Sequence, residues 1–399
     1  MKKIRLIILL LPLLTSCRLP FWLHPPTIRA QQIISTQNLC SLPDTLKESS
    51  GIIANADGTI WTHADSGNDS DLTLFNTQSC QIIRRVRVNA ANNDWEEIAL
   101  DPAGNLLIGD FGNNSHNRTN LRILKINNFS LSSQTSFTPE VLAFSYEDQT
   151  AFPPVAAQKY FDAEAMLAWS DSIYIFTKDF NTSPYLGITR IYAIPNVAGT
   201  HVAKLVYVLP TENSWLYRGA ITGAAKSADG QRIVLMSYAR LFVFDGFQGR
   251  RFWTGTRRTY EFSLLNQREA IGFKDDCTLL TTNETSQLGG AAVNSIALCN
   301  ILAKSENIEK KARGGARVFP NPSHFLQDVT IELPNFQEKQ ATVKIFDLNG
   351  KNVFNQKMEV ENENLTIKKE NFEQQHGIFF YQILDVENSI IFMGKFLIL

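Results

Sequence analysis

Apolar and polar residues alternate along much of this chain in short runs, and the runs recur. Ser50-Gly51-Ile52-Ile53 leads through a turn to Thr59-Ile60-Trp61-Thr62-His63-Ala64. Glu96-Glu97-Ile98-Ala99 leads in the same way to Asn105-Leu106-Leu107-Ile108-Gly109-Asp110, and Glu164-Ala165-Met166-Leu167 to Ser172-Ile173-Tyr174-Ile175-Phe176-Thr177-Lys178. Thr222-Gly223-Ala224-Ala225 precedes Arg232-Ile233-Val234-Leu235-Met236-Ser237, and Glu269-Ala270-Ile271-Gly272 precedes Thr278-Leu279-Leu280-Thr281-Thr282-Asn283. Period-two alternation bounded by Gly, Asn, Asp and Pro is the signature of short strands. No long stretch carries the 3.6-residue period of an amphipathic helix.

Five such units, spaced by roughly 45 to 65 residues, predict a repeat of four-stranded sheets. A four-stranded unit cannot bury both its faces alone, so the arrangement expected over residues 31–305 is an all-β propeller with five blades around a channel. A sixth, divergent blade within residues 127–160 or 195–216 is the alternative. A β-solenoid is disfavoured because the turns between strands are irregular. If the fifth unit ends near Ser295 to Leu302, its outer strand must come from residues 33–41, which closes the ring.

A second alternating region follows. Residues 306–316 are charged and contain Gly314-Gly315, the composition of a linker. Beyond it the runs Val329 to Leu333, Ala341 to Lys351 and Gly377 to Ile383, with a terminal Gly394-Lys395-Phe396, predict a small β-sandwich over residues 317–399. Val318-Phe319-Pro320-Asn321-Pro322, Val343-Lys344-Ile345-Phe346-Asp347-Leu348-Asn349-Gly350-Lys351, Gly377-Ile378-Phe379-Phe380-Tyr381 and the final Gly394-Lys395-Phe396 occur in an order that resembles the C-terminal sorting domain of the type IX secretion system of Bacteroidetes. The resemblance implies the type IX machinery as partner and an extracellular or cell-surface destination.

The N-terminus points outward as well. Lys2, Lys3 and Arg5 precede an apolar run from Leu6 to Leu14, which ends in Thr15-Ser16-Cys17. These are the three parts of a cleaved signal peptide over residues 1–17, and the run falls short of the about 20 residues a spanning helix needs. Leu14-Thr15-Ser16-Cys17 also resembles a bacterial lipobox, which implies lipidation of Cys17 and a membrane contact through that lipid alone. A lipid holding the N-terminus in a membrane conflicts with passage across the outer one. The C-terminal signal ranks higher because it matches at more positions.

Charge and cysteines narrow the picture further. With 38 basic against 39 acidic residues, nothing suggests a nucleic-acid partner. Besides Cys17 there are four cysteines, Cys40, Cys80, Cys277 and Cys299. An even number in an exported chain fits two disulfides with three pairings, and the spacing excludes a zinc site. The ring-closing strand favours Cys40 with Cys299, leaving Cys80 with Cys277.

Aligning the first strands of the five units stacks Ser50, Glu96, Glu164, Thr222 and Glu269 in one column. Inner strands of a propeller begin at one mouth of the channel, so three glutamates are expected to converge there. At ~6 Å and an effective dielectric of ~20 each pair repels by roughly 3 kcal/mol, which something must offset. Calcium is one solution: it takes six to eight hard oxygens and would draw Asp65, Asp110 and Asn283 beside Glu96, Glu164 and Glu269. Basic ligand-binding groups are another, with Lys178, Arg218 and Arg268 placed nearby by sequence. Protonated carboxyls are a third, and purely architectural hydrogen bonds a fourth.

Glu48-Ser49-Ser50-Gly51-Ile52, Asp94-Trp95-Glu96-Glu97-Ile98, Asp162-Ala163-Glu164-Ala165-Met166 and Glu269-Ala270-Ile271 with Asn283-Glu284 resemble the propellers of the SdiA-regulated and esterase-like phytase families. That resemblance implies an acidic, often calcium-associated mouth and a phosphoesterase as one outcome. The chain has no Gly-x-Ser-x-Gly elbow and no evident triad. His63, at the end of an inner strand, suits a structural bond to a neighbouring loop better than a general base. Two function classes follow: a surface binding or scaffold module, and a calcium-dependent hydrolase of phosphate or ester substrates.

Overall fold

The computed structural model describes residues 32–212, 216–303 and 316–399, apart from 325, 326, 335, 349, 373, 374 and 387–389. The signal peptide, Cys17 and nearly all of the linker lie outside the described residues. Two compact units change over between Ala316 and Arg317.

The first unit is a propeller, with five blades among the described residues. Blade 1 is built from Ser49–Ala54, Thr59–Ala64, Asp71–Asn76 and Gln81–Val88. Blade 2 uses Trp95–Leu100, Leu106–Asp110, Arg122–Ile126 and Glu140–Tyr146. Blade 3 uses Ala163–Ala168, Ser172–Thr177, Ile188–Pro195 and Gly199–Pro210. Blade 4 uses Ile221–Lys226, Ile233–Ser237, Arg240–Asp245 and Thr256–Phe262. Blade 5 takes Arg268–Asp275, Thr278–Asn283 and Ala292–Ala297, and its outer strand is Gln37–Ser41 from the N-terminal side, antiparallel to Ala292–Ala297.

The sixth blade is not found. Glu140–Tyr146 is the outer strand of blade 2, and Gly199–Pro210 that of blade 3. These two outer strands pair in parallel, Leu142 opposite Gly199, so the sheets of blades 2 and 3 run together at the rim. Short parallel additions occur elsewhere: Ser136–Phe137 on blade 1, and Gln32–Ile34 on blade 4.

Five apolar clusters hold the ring together, one at each blade interface, and consecutive side chains of one strand serve different interfaces. Ala165 and Leu167 pack toward blade 4, whereas Met166 and Ala168 pack toward blade 2. Leu235 faces blade 3 while Val234 and Met236 face blade 5. A strand buried on both faces has no polar side to show, which explains continuous apolar runs such as Ile233-Val234-Leu235-Met236. The ring closes through a cluster that joins Cys40, Leu280 and Val293 of blade 5 to Ile52, Ile60 and Phe75 of blade 1.

The second unit is a two-sheet sandwich. One sheet comprises Arg317–Phe319, Val329–Glu332 and Asn364–Ile367, the other Asn352–Glu359, Gln340–Phe346, Gly377–Leu384 and Ile390–Ile398. Val343, Ile345, Ile331 and Ile383 alternate inward and are fully buried, and Phe372, Phe379 and Phe396 stack into a shared aromatic cluster. Gly350, at φ +78°, turns the hairpin between Gln340–Phe346 and Asn352–Glu359.

Candidate functional site: an acidic channel mouth

Each inner strand begins with a break in register, and each break falls on the column read from the sequence. The pairing shifts across Ser49/Ile52, Trp95/Glu97, Ala163/Ala165, Ile221/Gly223 and Arg268/Ala270. Glu96, Glu164, Thr222 and Glu269 are therefore the unpaired residues of four bulges, and Ser50 falls with Gly51 in the corresponding break of blade 1, opposite His63. A bulge re-aims its extra side chain, and repeating it from blade to blade turns these side chains to one mouth. The hydroxyl members bind the ring together: Ser50 Oγ donates to the Glu96 carbonyl at 2.8 Å, and Thr222 Oγ1 to the Arg268 carbonyl at 2.6 Å.

The carboxyl members are buried and meet others that the column did not include. One oxygen each from Asp65, Asp94 and Glu96 lie within 4.8 Å of one another. Burial raises Glu96 well above the carboxylate range, and Glu164, Asp65, Asp94 and Asp162 add to the rise. Burial likewise lifts Glu164 to about 7, Asp162 to about 8, Glu284 to about 9 and Asp65 to about 6, with neighbouring carboxylates contributing to each. Asp94 and Glu269 are raised for the same leading reason. Seven carboxyls thus feel one another's charge around one mouth.

One ammonium sits among them. Lys178 Nζ lies 2.9 Å from Glu164 Oε1 and donates to the Tyr238 hydroxyl at 3.3 Å; that hydroxyl donates to Glu269 Oε1 at 2.9 Å. Burial opposes the charge on Lys178, but Glu164, Tyr238, Glu269 and Asp162 outweigh it and hold the lysine well above its ordinary value. Two carboxylate oxygens, Glu269 Oε2 and Asp162 Oδ2, are buried without a hydrogen-bond partner. A buried acceptor left in that condition costs about 1–3 kcal/mol unless a proton or a cation meets it.

Several residues expected here are committed elsewhere. Asp110 accepts from Arg118, Arg122, Asn93 and the Asp94 backbone, so its lone pairs are spent within blade 2. Asn283 binds the Gly290 carbonyl and Asn294. Arg218 pairs with Glu261 at 2.8 Å. Arg268 donates to the carbonyls of Tyr238 and Leu264 and covers the Phe262 ring at 3.9 Å, where burial lowers it to about 10. Of the three basic candidates only Lys178 joins the acids.

His63 is architectural. Its Nε2 accepts from the Gly51 amide at 3.1 Å and its Nδ1 contacts the Ala64 carbonyl at 3.0 Å, so both nitrogens are used and the ring is neutral. Burial lowers it to about 4. Glu97 was not anticipated either: fully buried and raised by that burial, it accepts from its neighbour Ile98 N and reaches across the channel to Ala224 N of blade 4 at 3.4 Å. The inner strands also line a pocket of about 500 Å³, with Ile52, Ile98, Met166, Ala224 and Ile271 in its wall.

The expected disulfides are overturned. Cys277 bonds Cys299, joining the hairpin turn of blade 5 to the segment after its third strand, with 4.7 Å between their Cα atoms. Cys40 stands opposite Val293, six residues before Cys299, and so cannot reach it. Cys40 and Cys80 are both thiols.

The second unit is decided by comparison. Residues 317–398 match the family model of the secretion system C-terminal sorting domain. The sorting domain is that of the type IX system, which makes this chain an exported cargo carrying an all-β propeller. A search of curated proteins finds no match to the chain. Among solved structures, PorZ, an essential bacterial surface component of the type IX secretion system of Porphyromonas gingivalis, is 13% identical with a TM-score of 0.29. The likeness covers 88% of this chain and 45% of that one. The PQQ-bound aldose sugar dehydrogenase of Streptomyces coelicolor is 10% identical over 67% of this chain and 99% of its own, with a TM-score of 0.39. The RRP9 WD40 repeats are 9% identical over 63% and 67%, with a TM-score of 0.32. At such scores these likenesses carry no argument about this chain.

Proposed function

We propose that this protein is a cell-surface or secreted binding module whose acidic mouth holds a divalent cation, calcium by the chemistry of its donors. The observation that carries the reading is the convergence of Asp65, Asp94 and Glu96, one oxygen of each within 4.8 Å of the others; Asp162 and Glu269, each with a buried oxygen that has no partner, interact electrostatically with this group. Carboxylates alone are hard oxygen donors, which suit calcium or magnesium, and a crowded, irregular set suits the larger ion's flexible coordination. Bound there, the cation would supply positive charge beyond that of Lys178 and of Arg118, which lies 4.0 Å from Asp94. The residues proposed as ligands are Asp65, Asp94 and Glu96, with Glu164 and Glu269 adding negative charge to the same mouth. Attachment at the outer membrane, through a lipid on Cys17 or a surface anchor, belongs to the same proposal.

A hydrolase of phosphate or ester substrates has less support, because phosphate chemistry needs cations on the oxygens and Arg218 and Arg268 are spent elsewhere. Titration calorimetry of the purified chain with calcium and with magnesium tests the reading. One calcium site is expected, with a rise in melting temperature that Glu96→Gln abolishes. Absence of heat at millimolar calcium, with no melting shift, would overturn it.

A further inference from the structure

We infer that Cys40 and Cys80 form a second disulfide in the exported protein, stapling the seam at which the propeller ring closes. Cys40 lies on Gln37–Ser41, the strand that completes blade 5, and Cys80 ends the turn joining the third and fourth strands of blade 1. The closing strand is held to blade 5 by its ladder with Ala292–Ala297 and by the packing of Cys40 against Leu280 and Val293. Blade 5 meets blade 1 through the Ser49 Oγ–Thr282 Oγ1 and Thr285 N–Lys47 O hydrogen bonds, at 3.1 and 2.8 Å, and through a side-chain cluster to which both cysteines belong, packed with Leu42, Phe75 and Ile82. The Cys40 thiol contacts the Thr77 carbonyl at 3.6 Å, inside the turn that carries Cys80, and meets the Cys80 side chain itself.

The turn suits a bond. Cys80 has φ +57°, a left-handed conformation that a non-glycine residue rarely adopts, and its side chain packs against the cluster that holds Cys40. The oxidising compartments that an exported chain crosses favour disulfides, and Cys277–Cys299 shows that this chain makes one. The two thiols differ in a way that fixes the order of steps. Cys80 is half-buried, whereas Cys40 is buried and its thiol is pushed up to about 12, by burial first and by Cys80 second. Cys80, as thiolate, attacks the disulfide of a thiol–disulfide oxidoreductase and forms a mixed disulfide, releasing one of its thiols. Cys40 then loses its proton, attacks the Cys80 sulfur and expels the second. Two thiols give up two protons and two electrons, and the oxidant leaves as a dithiol.

The test is made on the full chain, oxidised by a disulfide exchange catalyst or by oxidised glutathione, alkylated under denaturing conditions and mapped by mass spectrometry without reduction. Expected are a cross-linked peptide joining Cys40 to Cys80 and no alkylation at either. A loop of roughly 40 residues implies that oxidation raises the melting temperature by about 5–10 °C, a shift that Cys80→Ser removes while Cys277–Cys299 stays intact. Quantitative alkylation of Cys40 and Cys80 after oxidation, or a map pairing either with Cys277 or Cys299, overturns the inference. Mapping the unsubstituted chain decides the matter even if a cysteine variant fails to fold.

Discussion

Replacing Lys178 with methionine removes the one ammonium from the acidic mouth while keeping its apolar stem. At 2.9 Å from Glu164 and an effective dielectric of about 20, the gross attraction is about 6 kcal/mol. Desolvation of both groups takes back part of it, and breaking one side of a buried pair costs about 3–5 kcal/mol in practice. The loss depends on pH in a direction the carboxyls fix. Glu164 titrates near 7 when folded, burial being the leading cause, against an ordinary value near 4.5, so the native state retains a proton the unfolded chain has released. Stability therefore falls as pH rises from about 4.5 to 7 and is level above. Without Lys178 the folded value moves higher still and the fall continues past 7. At pH 5 Glu164 is protonated in both proteins and its attraction to Lys178 is gone.

Urea unfolding followed by tryptophan fluorescence, with a chelator present, should therefore show Lys178→Met destabilised by about 3–5 kcal/mol at pH 8 and by less than half of that at pH 5. An equal penalty at both pH values, or one below about 1 kcal/mol at pH 8, would refute the electrostatic account of the mouth.

Other perturbations address separate parts of the molecule. Gly51→Ala would place a Cβ 2.4 Å from Ile98 N and 2.8 Å from the Glu97 carbonyl carbon, and backbone there cannot yield; a loss of about 2–3 kcal/mol in urea unfolding is expected. His116 is buried with neither ring nitrogen bonded, and burial lowers it to about 4. The unfolded chain then binds the proton first, so stability is lost as pH falls from about 6.5 to 4, and His116→Leu should flatten that limb of a urea-midpoint profile. A chain ending at Ala316 keeps all five blade interfaces. It should melt cooperatively with unchanged β-sheet circular dichroism yet stay inside a type IX-competent cell, as fractionation would show.

The propeller was legible because its signal is repeated. Inner strands that open Glu-Glu-Ile, Glu-Ala-Met and Glu-Ala-Ile marked one column, and all five of its members fall at the register breaks of equivalent strands. Closure by the N-terminal segment was also readable, since a fifth blade with three strands of its own needs a fourth. Asp94, Asp162 and Glu284 were not picked out, although they flank the column within two residues or stand next to Asn283. Which flanking residue turns inward depends on how each bulge and its following loop are bent, and alternation along a strand says nothing about that. Tyr238 gave no signal at all: it reaches Glu269 from the turn between two strands of blade 4.

What the sequence by itself determined is the order of strands, the five-fold repeat, the column of polar residues and the sorting domain, because each is written in local periodicity or in motifs met within a few residues. What only the tertiary structure decided is who meets whom across the ring. Asp110 and Arg268 look like channel residues in one dimension, yet each finds nearer partners on its own blade or the loops beside it. The cysteines make the same point: Cys277 bonds Cys299 because one hairpin brings them together, while Cys40 faces Cys80 only because the ring closes. A strand's pattern sets which of its faces is buried; the residue waiting on the far side of that interface is set by the angle at which blades pack, which no local pattern encodes.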